Sequence, residues 1–135
     1  MPLRKYLAAG LGEFDKLLKE TLLASASNGG KVFVLFTGEA GADGASWCPD
    51  CEDCKPLVKS VFEEAGGAGE VSLIEVPLVR SEYRGNTEHW ARKHGSVKLT
   101  KIPTLIKWGK VNKVAECVEG ECSDATRVRE LVLDE

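Results

Sequence analysis

The chain is decided by the stretch Ser46-Trp47-Cys48-Pro49-Asp50-Cys51-Glu52-Asp53-Cys54-Lys55-Pro56. It follows an apolar run, Val32-Phe33-Val34-Leu35-Phe36, made of strand formers that are apolar on both faces. Such a strand belongs in the middle of a sheet covered on both sides. Pro49 suits a first helical position, where its missing N–H costs nothing. Cys48 and Cys51 therefore sit at the start of a helix, directly after a buried strand. There the unpaired N–H groups and the positive end of the helix dipole favour thiolate over thiol. The second cysteine, one turn in and less exposed, is within disulfide reach of the first. A C-x-x-C beside a βαβ pattern implies dithiol–disulfide exchange, with Cys48 attacking and Cys51 resolving.

Composition narrows the class. The chain has 135 residues, enough for one domain with its own core. Hydrophobic residues make up 43% and charged residues 29%, ordinary for a globular chain. The formal charge of -3 offers no basic footprint for nucleic acid. No apolar run approaches the roughly 20 residues of a spanning helix, and the N-terminus lacks the apolar core of a secretory signal. Of the 5 cysteines, an odd number, three crowd into positions 48–54. That argues for working thiols in a reducing compartment, the cytosol, over a secreted disulfide framework.

Outward from the motif, residues 3–8 read as a short strand. Phe14, Leu17, Leu18, Thr21 and Leu22 give helical spacing, ended by Ser25-Ala26-Ser27-Asn28-Gly29-Gly30. Residues 37–46 are glycine-rich and read as loop. The motif helix buries Leu57, Val58, Val61 and Phe62, is kinked by Pro56, and ends at Gly66-Gly67. Val71–Pro77 is a second buried strand, and residues 78–86 are loop. Asn86 or Thr87 caps a helix over 88–94 that buries Trp90 and stops at Gly95. Residues 103–108 and 111–117 flank Gly109-Lys110 as a hairpin. Ser123 caps a last helix with Ala125, Val128, Leu131 and Val132 on one face. The order β-α-β-α-β-α-β-β-α predicts one α/β domain over 1–135, a central mixed sheet with helices on both faces.

These residues resemble the thioredoxin superfamily: Val32–Phe36, Trp47-Cys48-x-x-Cys51, Pro56, and Ile102-Pro103-Thr104 before a hairpin. More narrowly they resemble the thioredoxin domain-containing protein 17 (Clot) family, through Phe36-Thr37-Gly38, the lengthened loop, Ser46-Trp47-Cys48-Pro49-Asp50-Cys51, Pro103-Thr104-Leu105 and Glu121-Cys122. The resemblance implies a thioredoxin fold with a cis bond before Pro103, and Ile102 and Thr104 beside the substrate. It also implies a disulfide reductase that needs no bound cofactor. Electrons would come from NADPH through a thioredoxin reductase, and substrates would be small disulfides such as cystine and selected protein thiols. A monomer is expected. Ordinary thioredoxins keep a buried acid in the central strand, where this chain has Leu35. Glutaredoxins keep Gly-Gly after the proline, where it has Leu105-Ile106, so no glutathione site is expected.

Blander readings stand beside these. The Cys48–Cys51 pair can be structural, or half of a zinc site completed by Cys117 and Cys122, which would make the chain a redox-sensing or metal-holding adaptor. Cys54 reads best as a small buried hydrophobe. Asp50 either favours the first helical turn or takes the proton that Leu35 cannot. Trp47 shields the thiolate, and Trp90 and Trp108 fill core. His89 and His94 read as surface and helix-end residues. Glu39, Asp43, Asp50, Glu52 and Asp53 predict an acidic rim around the dithiol, which the long loop would crowd.

Overall fold

The computed structural model describes residues 3–68, 70–109 and 112–133. The elements are β1 (Leu3–Leu7), α1 (Leu11–Asn28), β2 (Lys31–Gly38), α2 (Pro49–Ala68), β3 (Val71–Leu78), α3 (Arg80–Tyr83), α4 (Trp90–Lys93), β4 (Thr104–Trp108), β5 (Lys113–Val118), a 3-10 turn (Glu119–Ser123) and α5 (Ala125–Leu133). The sheet runs β1-β3-β2-β4-β5. β1 and β2 pair parallel with β3, and β4 pairs antiparallel with β2 and β5. The expected α/β class and mixed sheet are therefore present.

Strand alternation sorts β2 between two cores. Val32, Val34 and Phe36 join Phe14 and Leu18 of α1 and Ala91 of α4 on one side. Phe33 and Leu35 join Val58, Val61 and Phe62 of α2 and Val128, Leu131 and Val132 of α5 on the other. Phe33 meets Phe62 edge-on, with ring centroids 5.1 Å apart. This two-sided burial explains the unbroken apolar run in β2 and its central place in the sheet. α1 ends at Gly29, whose φ of 72° is left-handed and whose N–H returns to the Ser25 carbonyl.

Several boundaries differ from the sequence reading, each for a local reason. β2 extends through Thr37 and Gly38, because both pair with β3, at Pro77 and Leu78. α2 does not stop at Gly66-Gly67. A Cβ on Gly66 would lie 2.9 Å from that of Leu3, so this glycine lets the helix pass close to β1. Pro56 lies within that helix. Residues 78–86 contain the turn of helix α3, which buries Tyr83. The helix placed at 88–94 is only Trp90–Lys93, and its cap is His89, whose Nδ1 accepts the Ala91 N–H at 3.1 Å. Ala91 is its buried residue, and Trp90 is half-buried. At the hairpin between β4 and β5, Lys110 and Val111 lie outside the described residues.

Ser123 ends the 3-10 turn and does not cap α5. Asp124 takes that role: its Oδ1 accepts the N–H of Thr126 at 3.0 Å and of Arg127 at 3.3 Å. Ala125 is exposed, so the buried stripe is Val128, Leu131 and Val132. Asp124→Ala should cost about 1 kcal/mol in urea unfolding and Asp124→Asn much less, whereas Ser123→Ala should stay within about 0.5 kcal/mol.

Candidate active site

The strand-to-helix connection is built before the thiols are. Ala40 and Ser46 form an isolated antiparallel bridge, and the Gly41 N–H donates to the Ala45 carbonyl at 2.8 Å. Asp43 Oδ1 accepts the Ala45 N–H at 3.0 Å, while Gly44 turns at φ 83°. The long segment is thus a small closed turn standing on the end of β2. Ser46 ties its base: the hydroxyl donates to the Gly38 carbonyl at 2.6 Å and accepts the Cys48 N–H at 3.1 Å. The Ser46 N–H donates to Glu52 Oε2 at 2.9 Å, and Lys55 pairs with that same oxygen at 2.6 Å. These two donors hold the Glu52 carboxyl below its usual range, the Lys55 bond contributing most. Trp47 is fixed through its indole N–H, which donates to the Leu78 carbonyl at 2.7 Å.

The Cys48 carbonyl accepts the N–H of Cys51 at 3.0 Å and of Glu52 at 3.1 Å, which makes Cys48 the N-cap of α2. The expectation that Cys48 is exposed needs correction. It is 6% exposed and Cys51 1%, so the order of access holds but both thiols are sheltered. Burial pushes the Cys51 thiol far up, its hydrogen bond to Cys48 adds to this, and the Gly38 N–H at 3.4 Å opposes it. Cys51 is therefore the proton-holding partner of the pair. The Ile102–Pro103 bond is cis, and the Ile102 carbonyl lies 4.0 Å from Cys48 Sγ. Thr104, expected beside the substrate, is 2% exposed, and its hydroxyl donates to the Lys101 carbonyl at 2.5 Å. It fastens the turn and offers no side-chain group to a substrate.

Cys54 belongs to the opposite core from Cys48 and Cys51. Its thiol donates to the Cys51 carbonyl at 3.3 Å, and burial pushes it up to about 11. Cys117 and Cys122 share that opposite core and are raised by burial, Cys117 to about 11. The four cysteines of the zinc reading are thus divided between two cores. Among the described residues no group of three or more His, Cys, Asp or Glu is placed to hold a metal ion. Asp50 and Asp53 are exposed, and both charges act to raise Cys54.

His89 is buried, not at the surface, at 7% exposure. Tyr83 packs edge-on to it at 5.4 Å, under the Arg92 guanidinium at 4.0 Å. His94 is a helix-end residue as read, half-buried, bonded to Asp15 at 2.9 Å and edge-on to Phe14. Trp108 is buried and Trp90 rests on Phe14 and Phe36. The acidic rim is also corrected. A hollow of about 550 Å³ beside Trp47 is lined by Glu39, Val79, Arg80, Ser81 and Arg84, so α3 and its C-cap residue bring two cations to a rim whose Glu52 is already paired. A second cavity, of about 540 Å³, lies between α2 and the sheet and touches Leu35, Cys51, Cys54 and Glu75. Arg80, Tyr83 and Arg84 carried no readable motif in the sequence.

A Cβ at Gly38 would lie 2.7 Å from Trp47 Cε2 and 2.9 Å from Ser46 Oγ, on side chains already held by the indole N–H and the hydroxyl. Gly38→Ala should therefore cost about 1–3 kcal/mol and alter the tryptophan emission, whereas Gly12→Ala, with nothing within 4 Å, should do neither.

Comparison with known proteins agrees with this geometry. The family described as thioredoxin domain-containing protein 17-like, thioredoxin domain, matches residues 7–134. The chain is 31% identical to human thioredoxin domain-containing protein 17 over 123 residues, covering 91% of this chain and 89% of that protein. It is 40% identical over 79 residues to acireductone dioxygenase of Leishmania braziliensis, a match covering 56% of this chain and 23% of that protein. Its backbone superimposes on a reduced Schistosoma mansoni thioredoxin with TM-score 0.61 at 18% identity, over 96% of this chain and 98% of the other. The fold is that of thioredoxin, the dithiol is that of a thiol–disulfide oxidoreductase, and the chain belongs to the thioredoxin domain-containing protein 17-like family.

Proposed function

We propose that this chain is a cytosolic disulfide reductase acting on cystine-sized disulfides and selected protein thiols. The observation that carries the reading is the placement of Cys48 at the N-cap of α2, with Cys51 one turn on and its proton held by burial. A cap position favours the thiolate. The Cys48 thiolate attacks one sulfur of a substrate disulfide, that S–S bond breaks, and the departing thiolate takes a proton from solvent. Cys51 then gives up its proton and attacks the Cys48 sulfur of the mixed disulfide. The second substrate thiolate leaves, and Cys48–Cys51 is oxidised. Two electrons from NADPH, delivered by a thioredoxin reductase, restore the dithiol. No bound cofactor is needed, and the protein acts as a monomer. Trp47 walls the site, Pro49 starts the helix, and Pro103 with the Ile102 backbone borders Cys48. Asp50 serves the first helical turn through its charge.

Substrate size follows from the closed turn over residues 40–46. It immediately precedes Trp47 in the chain, and its internal hydrogen bonds hold its shape, so we take it as the element a large partner would meet beside the dithiol. Crowding, more than net acidity, then disfavours bulky disulfides, because Arg80 and Arg84 offset the rim's carboxylates.

The test is a reductase-coupled NADPH assay on cystine and on insulin. Cys48→Ser should abolish turnover on both. Cys51→Ser should stop after one event, with a mixed disulfide at Cys48 visible by mass. Turnover surviving Cys48→Ser would overturn the assignment. Replacing residues 41–45 by a two-residue turn should raise the insulin-to-cystine rate ratio several-fold, and an unmoved ratio in the folded variant removes the size filter.

A further inference from the structure

The hollow beside Trp47 gathers charges of both signs next to the dithiol. Its volume is about 550 Å³, and Glu39, Trp47, Val79, Arg80, Ser81 and Arg84 line it. Arg80 opens α3 and Arg84 is its C-cap, the Arg84 N–H returning to the Arg80 carbonyl at 2.9 Å. Residues four apart on a helical turn share one face. Both arginines are exposed. Among the described residues, arginine ion pairs form at Arg4, Arg127 and Arg129 and at neither of these two. Like charges at this spacing destabilise a helical turn, a cost that a bound anion relieves.

Glu39 reaches the same hollow from the end of β2. Its N–H donates to the Leu78 carbonyl at 3.0 Å, and its carbonyl accepts the Trp47 N–H at 3.3 Å. It too is exposed and belongs to no ion pair among the described residues. The Trp47 indole N–H donates to the Leu78 carbonyl at 2.7 Å, which fixes the ring against the end of β3, just before α3 begins. Cys48 is the next residue, one Cα step of about 3.8 Å away. The hollow and the attacking sulfur are therefore served by consecutive residues, and the fixed ring of the first forms one wall of the hollow.

We propose that this hollow holds the α-amino-acid head of a small disulfide, with Arg80 and Arg84 on its carboxylate and Glu39 on its ammonium. Both charges of such a head sit on one carbon, so a site must offer cations and an anion close together. In a half-cystine a single methylene joins that carbon to sulfur, so a head bound beside Trp47 brings its sulfur to Cys48. The Cys48 thiolate bonds to that sulfur and the S–S bond breaks. The other half leaves as a thiolate and takes a proton from solvent. The inference rests on the reductase reading for this exchange, and it names the disulfides favoured: those that carry both charges of an amino acid.

The experiment mixes the reduced full chain with each of four disulfides at pH 7, quenches in acid and follows oxidation by mass. Cystine carries both head charges, dithiodipropionate only carboxylates, cystamine only ammoniums, and hydroxyethyl disulfide neither. Arg80→Gln combined with Arg84→Gln should slow cystine and dithiodipropionate about fivefold, the upper end for an exposed ion pair, and leave hydroxyethyl disulfide unchanged. Glu39→Gln should slow cystine and cystamine and spare dithiodipropionate. Rates that change by one factor for all four disulfides, or do not change, overturn the proposal.

A second measurement needs no exchange. Cystathionine, in which a methylene replaces one sulfur, should shift the NMR signal of the Trp47 indole N–H in the wild type and not in the double arginine variant. Exchange with every disulfide alike and no cystathionine shift would remove the subsite and leave the reductase reading standing. A cystathionine shift in a chain that exchanges with no disulfide would keep the subsite and sink the reductase reading.

Discussion

Everything at the working end depends on Gly38. Its N–H faces Cys51 Sγ, its carbonyl receives the Ser46 hydroxyl, and the space where a side chain would go is filled by the Trp47 ring. One residue therefore ends the central strand, anchors the inserted turn, seats the tryptophan and supplies a donor to the resolving sulfur. Only glycine allows this. A backbone N–H pointed at sulfur stabilises charge there without adding a titratable group, and it remains available when Cys51 must become a thiolate.

The same junction explains why two cysteines one helical turn apart behave differently. Cys48 is the cap itself, at the edge of the core and against the cis-proline turn. Cys51 is inside the first turn, 1% exposed, with its proton shared toward Cys48. Desolvation disfavours the charged form more strongly than a single N–H restores it. In the reaction proposed above, Cys51 would thereby act only after the first sulfur is consumed in a mixed disulfide. Cys48, at 6% exposed, is itself the more accessible of two sheltered sulfurs.

Much of this was legible in the chain. The two-faced run Val32–Phe36 marked the central strand, and Pro49 marked the helix start, because both follow from local covalent and hydrophobic constraints. The C-x-x-C between them located the dithiol. Three things were not legible. Helix ends at 66–67 and 88–94 failed because a glycine was there for a tertiary contact with Leu3, and because a histidine side chain did the work of a cap. The closed turn over 40–46 looked like loop because its bonds are mostly backbone bonds made across a few residues. Thr104 was read as a substrate neighbour because its position along the strand is visible in sequence and the direction of its hydroxyl is not.

Five thiols in one small domain would be a hazard if all were reactive, and the fold divides them. Cys54, Cys117 and Cys122 lie in the core beneath α2 and α5, where burial raises every one of them. A thiol kept protonated and away from solvent is a small hydrophobe in practice. Cys54 is the instructive case, since it stands only one turn beyond Cys51 and bonds to that residue's carbonyl. Helical rotation alone carries its sulfur from the core of the dithiol to the core of α2 and α5. Asp50 and Asp53 then oppose any charge on it. The acidic residues that crowd the motif thus bear on the cysteine that must stay silent, while the pair that works is served by uncharged donors: the end of a helix and the backbone of Gly38.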